Sequence, residues 1–348
     1  AAAVASGGGQ RRPRRTPGAD VSRALQMPAV EDGPGGYGCK LFGCLDVPTV
    51  NACQCHNGCV KSGTCCRDYE ATCASLTPAT NKRLGAWHGC PSGDLPPSLP
   101  TLPAPRRTAQ SLRVRVLSYN PEWWRVIEQL GGNGNSVARL IAEAAIEIPF
   151  DFIGFQEFYD PWYGLTRPGY NASALLREYM FVRGEVGGPV GSAIGFRNAS
   201  WELLARGQRF MAEDVRGGQY FGPRIAVWAR LRHRADGRTV LFVNHHGPLP
   251  INSGGHCGST VTALNLLRLI SDSAEAGDVV LFTGDFNADA KSETISQLKS
   301  RLTKVVSGTA YLGVDNIFTN LPAAAVVCTA ELGPGGSDHG AINAIVEL

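Results

Sequence analysis

No stretch of the 348 residues reaches the roughly 18 consecutive apolar residues that a membrane-spanning helix needs. Beyond residue 110 the chain also lacks a basic excess. There, 21 Lys and Arg stand against 23 Asp and Glu, a balance of −2, which excludes a generic polybasic binder of nucleic acid for the larger part of the molecule. Residues 1–110 carry 12 basic and 7 acidic side chains, hence +5. Cysteine is nearly absent from the later part: of 11, only Cys257 and Cys328 follow residue 90. With no Cys/His pairs at zinc spacing there, a zinc centre is disfavoured. Residues 1–36 lack any apolar periodicity. They are Ala/Gly-rich around the block Arg11 to Arg15 and read as a disordered, low-complexity tail.

What the chain does hold is distributed unevenly. Cys39, Cys44, Cys53, Cys55, Cys59, Cys65, Cys66 and Cys73 crowd into one short segment. So dense a cluster leaves little room for an apolar core and calls for disulfides in its place, in an oxidising, secretory setting. The pairing stays open. Two triplets, Asn171-Ala-Ser173 and Asn198-Ala-Ser200, are glycosylation acceptors in that compartment. Residues 76–110 contain Pro78, Pro91, Pro96, Pro97, Pro100, Pro103 and Pro105, the composition of an extended, semi-rigid linker. Cys90 lies in it without an obvious mate.

From residue 111 the pattern becomes that of a layered α/β (α+β) domain running to 348. Apolar strands are expected at 114–117, 150–155, 192–197, 201–205, 224–231, 239–244, 279–282, 314–318, 324–329 and 341–346. Helices are expected at 136–147, 175–179, 260–274 and 292–299. Polar residues recur where these strands end: Asn120, Glu157, His246, Asp285, Asn287 and the pair Asp338-His339. One such residue is usually a cap; this many, mixing carboxylates, amides and imidazoles, point to one convergent site. Glu157 and Asp338 are hard oxygen donors suited to Mg²⁺, with Mn²⁺ or Ca²⁺ as alternatives. Asp285 can position or deprotonate a water, and His246 and His339 can donate protons or hydrogen bonds to a phosphoryl group. Asp315 is the candidate partner that fixes the tautomer of His339. Neighbours along a strand face opposite sides, so only one of His245 and His246 reaches the site. Cys257 and Cys328 are a candidate disulfide.

These residues carry two resemblances. Cys53-Gln-Cys55, Cys59, Cys65-Cys66-Arg-Asp-Tyr69 and Cys73 resemble the somatomedin B domain, with His56 where that family usually has Asp and no Arg-Gly-Asp signal. That likeness implies a small disulfide-rich domain over 37–75, either a compact spacer or a module for an extracellular protein partner. Leu117-Ser-Tyr-Asn120, Ile153-Gly-Phe-Gln-Glu157, Val243-Asn-His-His246, Gly284-Asp-Phe-Asn287, Val314-Asp315 and Gly336-Ser-Asp-His339 occur in the order of the endonuclease/exonuclease/phosphatase superfamily. This second likeness implies a four-layered sandwich of two mixed β-sheets flanked by helices, and metal-dependent phosphoester hydrolysis. It places Glu157 on the metal with Asn120 and Asp338 nearby, Asp285 on the attacking water, Asn287 on the phosphate, and His246 and His339, the latter held by Asp315, on the phosphorane or leaving oxygen. It favours His246 over His245, and it places Arg224 where related nucleases have a phosphate-contacting Arg; a plain strand-end Arg is the alternative.

The expected function is a secreted, divalent-metal-dependent phosphodiesterase or phosphatase acting on nucleic acid or phospholipid. Trp123-Trp124 and Trp162-Tyr163 could form an aromatic rim for lipid, stack bases, or pack into the core. Asn316 stands where inositol-phosphate phosphatases have an Arg, which disfavours that class. A sphingomyelinase-like lipid phosphodiesterase, and a non-enzymatic adhesion protein on a degenerate hydrolase fold, are the competing readings.

Overall fold

Alternation within the strands builds the molecule in layers. The computed structural model describes residues 59–62, 65, 66, 69, 70, 81–83, 98–106, 110–129, 134–158, 160–166, 170, 172–184, 191–217 and 219–348. The expectations for residues 1–36 and for Cys39, Cys44, Cys53, Cys55, Cys73, Cys90 and Asn171 lie outside them.

In chain order the strands are β1 (Asn81–Arg83), β2 (Arg113–Tyr119), β3 (Phe152–Gln156), β4 (Tyr179–Arg183), β5 (Ser192–Arg197), β6 (Trp201–Glu213) and β7 (Pro223–His233). They continue with β8 (Thr239–His246), β9 (Val279–Asp285), β10 (Thr303–Ser307), β11 (Asp315–Thr319), β12 (Val326–Glu331) and β13 (Ile342–Glu347). The α-helices of the layered part are α1 (Gly134–Ala144), α2 (Pro161–Leu165), α3 (Ser173–Leu176), α4 (Ser259–Ser273) and α5 (Glu293–Lys299). One sheet runs β1-β6-β7-β8-β9-β11-β10 and the other β12-β13-β2-β3-β5-β4. Both are mixed: β8 pairs in parallel with β9, and β2 with β3, beside antiparallel neighbours.

The apolar runs are continuous because both faces of each sheet are covered. Val116, Phe152, Ile194, Phe242 and Leu281 point between the two sheets. The residues next to them in sequence point outward. Leu117 and Ile153 meet Val137, Ala138 and Ile141 of α1, and Leu241, Val243, Val280 and Phe282 meet Leu266, Leu267 and Ile270 of α4 and Ile295 and Leu298 of α5. Helix, sheet, sheet, helix is the four-layered order expected.

Three local expectations are corrected. Tyr179 begins β4 rather than ending a helix: Tyr179 and Phe181 join one core, and Met180 and Val182 the other, a period of two that overrides helical propensity. Strand β10 was not expected. The proline-rich segment is no free spacer where it is described. β1 pairs in parallel with Arg206–Gln208 of β6, Leu99 and Leu102 pack against the helical core layer, and the Arg106 amide donates to the Gly277 carbonyl at 3.0 Å.

One polar cluster is buried between the sheets. The Asn244 amide nitrogen donates to the carbonyls of Phe155 (2.7 Å) and Ala193 (3.2 Å). Its amide oxygen accepts from Gln156 Nε2 (2.6 Å) and Thr283 Oγ1 (3.0 Å). Four groups from β3, β5 and β9 thereby converge on one side chain of β8. Gly154 leaves room for it: a Cβ there would lie 2.1 Å from Thr283 Oγ1 and 2.6 Å from Asn244 Oδ1. Substituting Asn244→Ala strands several buried polar groups and is expected to lower the unfolding free energy by about 3 kcal/mol. Urea denaturation of the two proteins measures this; a loss below about 1 kcal/mol would show that the cluster does not hold the sheets together.

Candidate active site

Asp285 is the last residue of β9, and strand pairing fixes its neighbours. In register it stands opposite His246 on β8 and Asp315 on β11. Backbone pairing alone therefore sets an imidazole, a carboxylate and a second carboxylate in one row across the sheet. The loop before β13 brings His339 against the row. His339 Nδ1 lies 2.8 Å from Asp315 Oδ2, and its Nε2 lies 3.6 Å from Asp285 Oδ2. His246 Nε2 approaches the same oxygen from the other side at 3.7 Å. Both Asp285 and Asp315 are buried.

The opposite sheet supplies the rest. Asn120 and Glu157 follow β2 and β3 directly, and Asn120 Nδ2 reaches both Asp285 Oδ2 (3.1 Å) and Glu157 Oε1 (3.3 Å). Glu157 Oε2 accepts a 2.6 Å hydrogen bond from Trp124 Nε1. Glu157 has a left-handed backbone (φ 50°), a costly state for a residue with a Cβ, which turns its carboxylate back across the strand end. Burial pushes Glu157 up to about 7, against the pull of the Trp124 and Asn120 hydrogen bonds. The loop holding Asp338 and His339 is tied to β2, since Ser337 Oγ donates to the Asn120 carbonyl at 2.6 Å. Asp338 accepts from the Tyr311 hydroxyl at 2.7 Å, and the Tyr311 ring centroid lies 5.1 Å from that of His339.

The two histidines occupy opposite electrostatic environments. Burial works against a charge on His339, but the carboxylates of Asp285, Asp315 and Asp338 outweigh it and raise the imidazole to about 10. His339 is an imidazolium at neutral pH. His246 is pushed well below its usual range by burial, then by Arg224, His245 and His339, and stays neutral. Arg224 is neither a surface residue nor open to a ligand on every side. Its Nε and Nη2 grip buried Asp214 at 2.8 and 3.1 Å, and Nη1 rests 3.2 and 3.3 Å from the two ring nitrogens of His246. That equal spacing sets the guanidinium over the imidazole face. His245 points the other way, against the Phe286 ring and the Ile225 carbonyl (2.8 Å), in the core.

Asn287 (φ 46°) lies beside Asp285, whose Oδ1 accepts from the Asn287 amide at 2.9 Å. Its side-chain nitrogen donates to the Gly247 carbonyl at 3.0 Å, so it braces the turn after His246. All eight site residues expected from sequence thus gather around Asp285, with Arg224 behind His246. The expected Cys257–Cys328 disulfide does not form. Cys328 is free and exposed on edge strand β12, while Cys257 is disulfide-bonded. Every other cysteine precedes residue 91, so with Cys328 free the mate of Cys257 does too. Cys59 pairs with Cys65.

Sequence reasoning missed Trp124 as a brace for Glu157, Tyr311 as a partner of Asp338, and Asp214. Only Asp214 left a usable signal: it follows β6 directly, ten residues before Arg224, across a hairpin. A different grouping, Asp285, Asp315 and His339, brings ligand atoms within 4.8 Å of one another. There, however, a cationic His339 already satisfies Asp315. Glu157 and Asp338 are the remaining hard oxygen donors, Asp338 Oδ1 lying 4.0 Å from His339 Nε2; Asn120 turns its Nδ2 toward Glu157 and Asp285, while its Oδ1 accepts from the Glu122 backbone amide at 3.0 Å.

Because His339 is raised on folding, its contribution to stability is present in full below about 6.5 and is lost as pH rises through about 10. Thermal melts of chelator-treated wild type and His339→Gln between those values should converge as pH increases; a gap that stays constant would contradict the charged pair.

Residues 129–339 match the model of the Endonuclease/Exonuclease/phosphatase family. An endonuclease/exonuclease/phosphatase from Bacteroides vulgatus is similar in structure, with 22% identity over 68% of this chain and 99% of that one and a TM-score of 0.52. A family protein from Bacteroides thetaiotaomicron (17% identity, 69% and 99% covered, TM-score 0.52) and the mannosyl-6-phosphatase of the same organism (17%, 68% and 99%, TM-score 0.51) share the fold. No curated protein matches the chain.

Proposed function

Since the chain belongs to the endonuclease/exonuclease/phosphatase family, we propose that it is a divalent-metal-dependent phosphodiesterase. The observation that carries this reading is the row His246–Asp285–Asp315 with His339 closing it, a neutral imidazole, an acceptor and an imidazolium converging on one point.

Each side chain has a defined task. Asp285 Oδ2 faces both histidine Nε2 atoms and is the acceptor placed to orient a water and take its proton. His339, held by Asp315, presents a charged Nε2–H to the departing oxygen and hands it a proton, so that the ester is cleaved with one proton taken up and one released. Neutral His246 donates a hydrogen bond to a phosphoryl oxygen. Burial, and then Arg224, keep it neutral, and Arg224 with Asp214 fixes its plane. A second amide hydrogen of Asn287 is available to the phosphate. The carboxylates of Glu157 and Asp338 are hard donors that suit Mg²⁺, Mn²⁺ or Ca²⁺, and the Asn120 amide nitrogen holds Glu157 Oε1 in place. Bound there, such an ion would supply charge neutralisation at the phosphoryl oxygens. The disulfides at Cys59–Cys65, Cys66 and Cys257 support residence in an oxidising, extracytoplasmic compartment.

The test is a panel of plasmid DNA, RNA, sphingomyelin and a chromogenic phosphodiester, each with Mg²⁺ or Mn²⁺ and with chelator. At least one is expected to be cleaved only with metal, and inertness toward all four sinks the enzymatic reading. On the responsive substrate, His339→Ala is expected to lose about 10²–10⁴-fold in kcat. Trp124→Phe frees one Glu157 oxygen and should weaken Mn²⁺ binding by about tenfold. Mn²⁺ titration followed by electron paramagnetic resonance reads that affinity without reference to turnover; unchanged affinity would mean that Trp124 does not position Glu157.

A further inference from the structure

Most large apolar side chains left exposed among the described residues stand on one end of the molecule. Tyr163, in the short helix α2 after β3, and Val215, Tyr220, Phe221, Ile251, Tyr311 and Leu312 lie in connections at the strand ends that carry the site, whereas Val60, Ile146, Ile148 and Val327 lie elsewhere. Three of these loops are fastened to one another. The 214–222 loop is pinned to the 247–258 loop by Val215 N to the Leu249 carbonyl (2.9 Å), Leu249 N to Asp214 Oδ1 (2.8 Å) and His256 N to the Glu213 carbonyl (2.7 Å). The 247–258 loop is pinned to the turn after Asp285 by Asn252 N to the Asn287 carbonyl and by paired Asn252–Asp289 side-chain contacts, each 2.8 Å. That turn meets the third loop where Ala290 N approaches the Leu312 carbonyl at 3.4 Å. The result is a continuous belt beside the row of catalytic groups.

Two features show that the belt is presented outward. Tyr311 and Leu312 are consecutive residues in the left-handed region (φ 45° and 63°), although neither is glycine. Such strain persists where the surroundings impose it, and its effect here is to leave Leu312 80% exposed beside the site. Phe221, 51% exposed, has the Arg224 guanidinium 5.9 Å from its ring centroid, so it reaches from the wall behind His246 to the surface. Charge is sparse and balanced: the three loops carry only Asp214, Arg216 and His256 as ionisable groups apart from Tyr220 and Tyr311 and disulfide-bonded Cys257, and the turn that joins them adds Asp289 and Lys291. A polyanionic strand needs an array of cations along its path, and the belt offers Arg216 and Lys291 against Asp214 and Asp289. An apolar rim around a phosphate-cleaving centre suits a substrate whose phosphate is attached to hydrocarbon and presented at a membrane surface.

We infer that the 214–222, 247–258 and 308–314 loops form an interface that docks on a zwitterionic phospholipid surface and delivers lipid phosphodiesters to Asp285. The inference rests on the phosphodiesterase reading for its substrate, but docking can be measured apart from turnover. The probe is vesicles of equimolar phosphatidylcholine and sphingomyelin, with sedimentation reporting binding. Wild type and His339→Ala should both sediment, and the Ile251→Ser/Leu312→Ser double variant, whose side chains are already exposed, should bind at least tenfold more weakly with an unchanged Tm. The ratio of its hydrolysis rates on vesicles and on a soluble chromogenic diester should fall at least tenfold. Failure of wild type to sediment, equal sedimentation of the double variant, or saturable binding of a single-stranded oligonucleotide that the same substitutions abolish would overturn the interface. Vesicle binding lost in the double variant but with no diester cleaved by any form would sink the catalytic reading and leave the docking surface standing.

Discussion

The site depends on a side chain that takes no part in its chemistry. Asn244 is completely buried between two sheets whose contact is otherwise apolar, and it joins the ends of β3, β5, β8 and β9 by four hydrogen bonds. Apolar packing is non-directional and would tolerate a small slide of one sheet over the other. A buried amide does not, because each displaced bond leaves a desolvated polar group behind. Glu157 leaves one sheet a single residue beyond Gln156, and His246 leaves the other two residues beyond Asn244. The amide cluster therefore sets the distance between the half that carries Glu157 and the half that carries His246 and Asp285, and Gly154, with no Cβ, lets the two backbones come that close.

Electrostatic division follows from the same placement. Two imidazoles lie within 4 Å of one carboxylate oxygen, yet they differ in charge because their other neighbours differ. His339 is surrounded by acids; His246 has a guanidinium over its face and a second histidine beside it in sequence. Arg224 can do this only because Asp214 fills its remaining donors and takes two backbone amides, from Leu249 and Phe221, as well. A pair that is neutral as a whole thus shows a positive edge to one ring. The same carboxylate ties the β6–β7 loop to the loop after β8, so one residue links the state of His246 to the shape of the apolar belt.

Much of this was legible in the sequence, for a physical reason. Strands buried on both faces are continuous apolar runs, and a polar residue ending such a run must lie at the sheet's edge. Asn120, Glu157, His246 and Asp285 could be read that way, and period two along β8 showed that only one of His245 and His246 reaches the site, the choice of His246 coming from the superfamily pattern. Other features depend on contacts between segments remote in sequence. Trp124 meets Glu157 from a helical turn 33 residues earlier, and Tyr311 meets Asp338 across 27. Neither leaves a local signature. The expected Cys257–Cys328 bridge failed because it was inferred from the scarcity of cysteines after residue 90, which says nothing of how near the N-terminal ones come. The proline-rich segment was read from composition alone, and composition cannot reveal that Leu99 and Leu102 have an apolar layer to cover.

The bond at Cys257 also changes what a cut in the chain would mean. Its mate precedes residue 91, since Cys328 is free, and Cys257 itself sits in the loop whose Asn252 is held to Asn287. A protease that severed the polypeptide anywhere between residues 91 and 256 would leave two pieces still covalently joined. They would travel as one mass until a reductant separated them, so maturation by cleavage and release of the N-terminal segment are, in this molecule, distinct events.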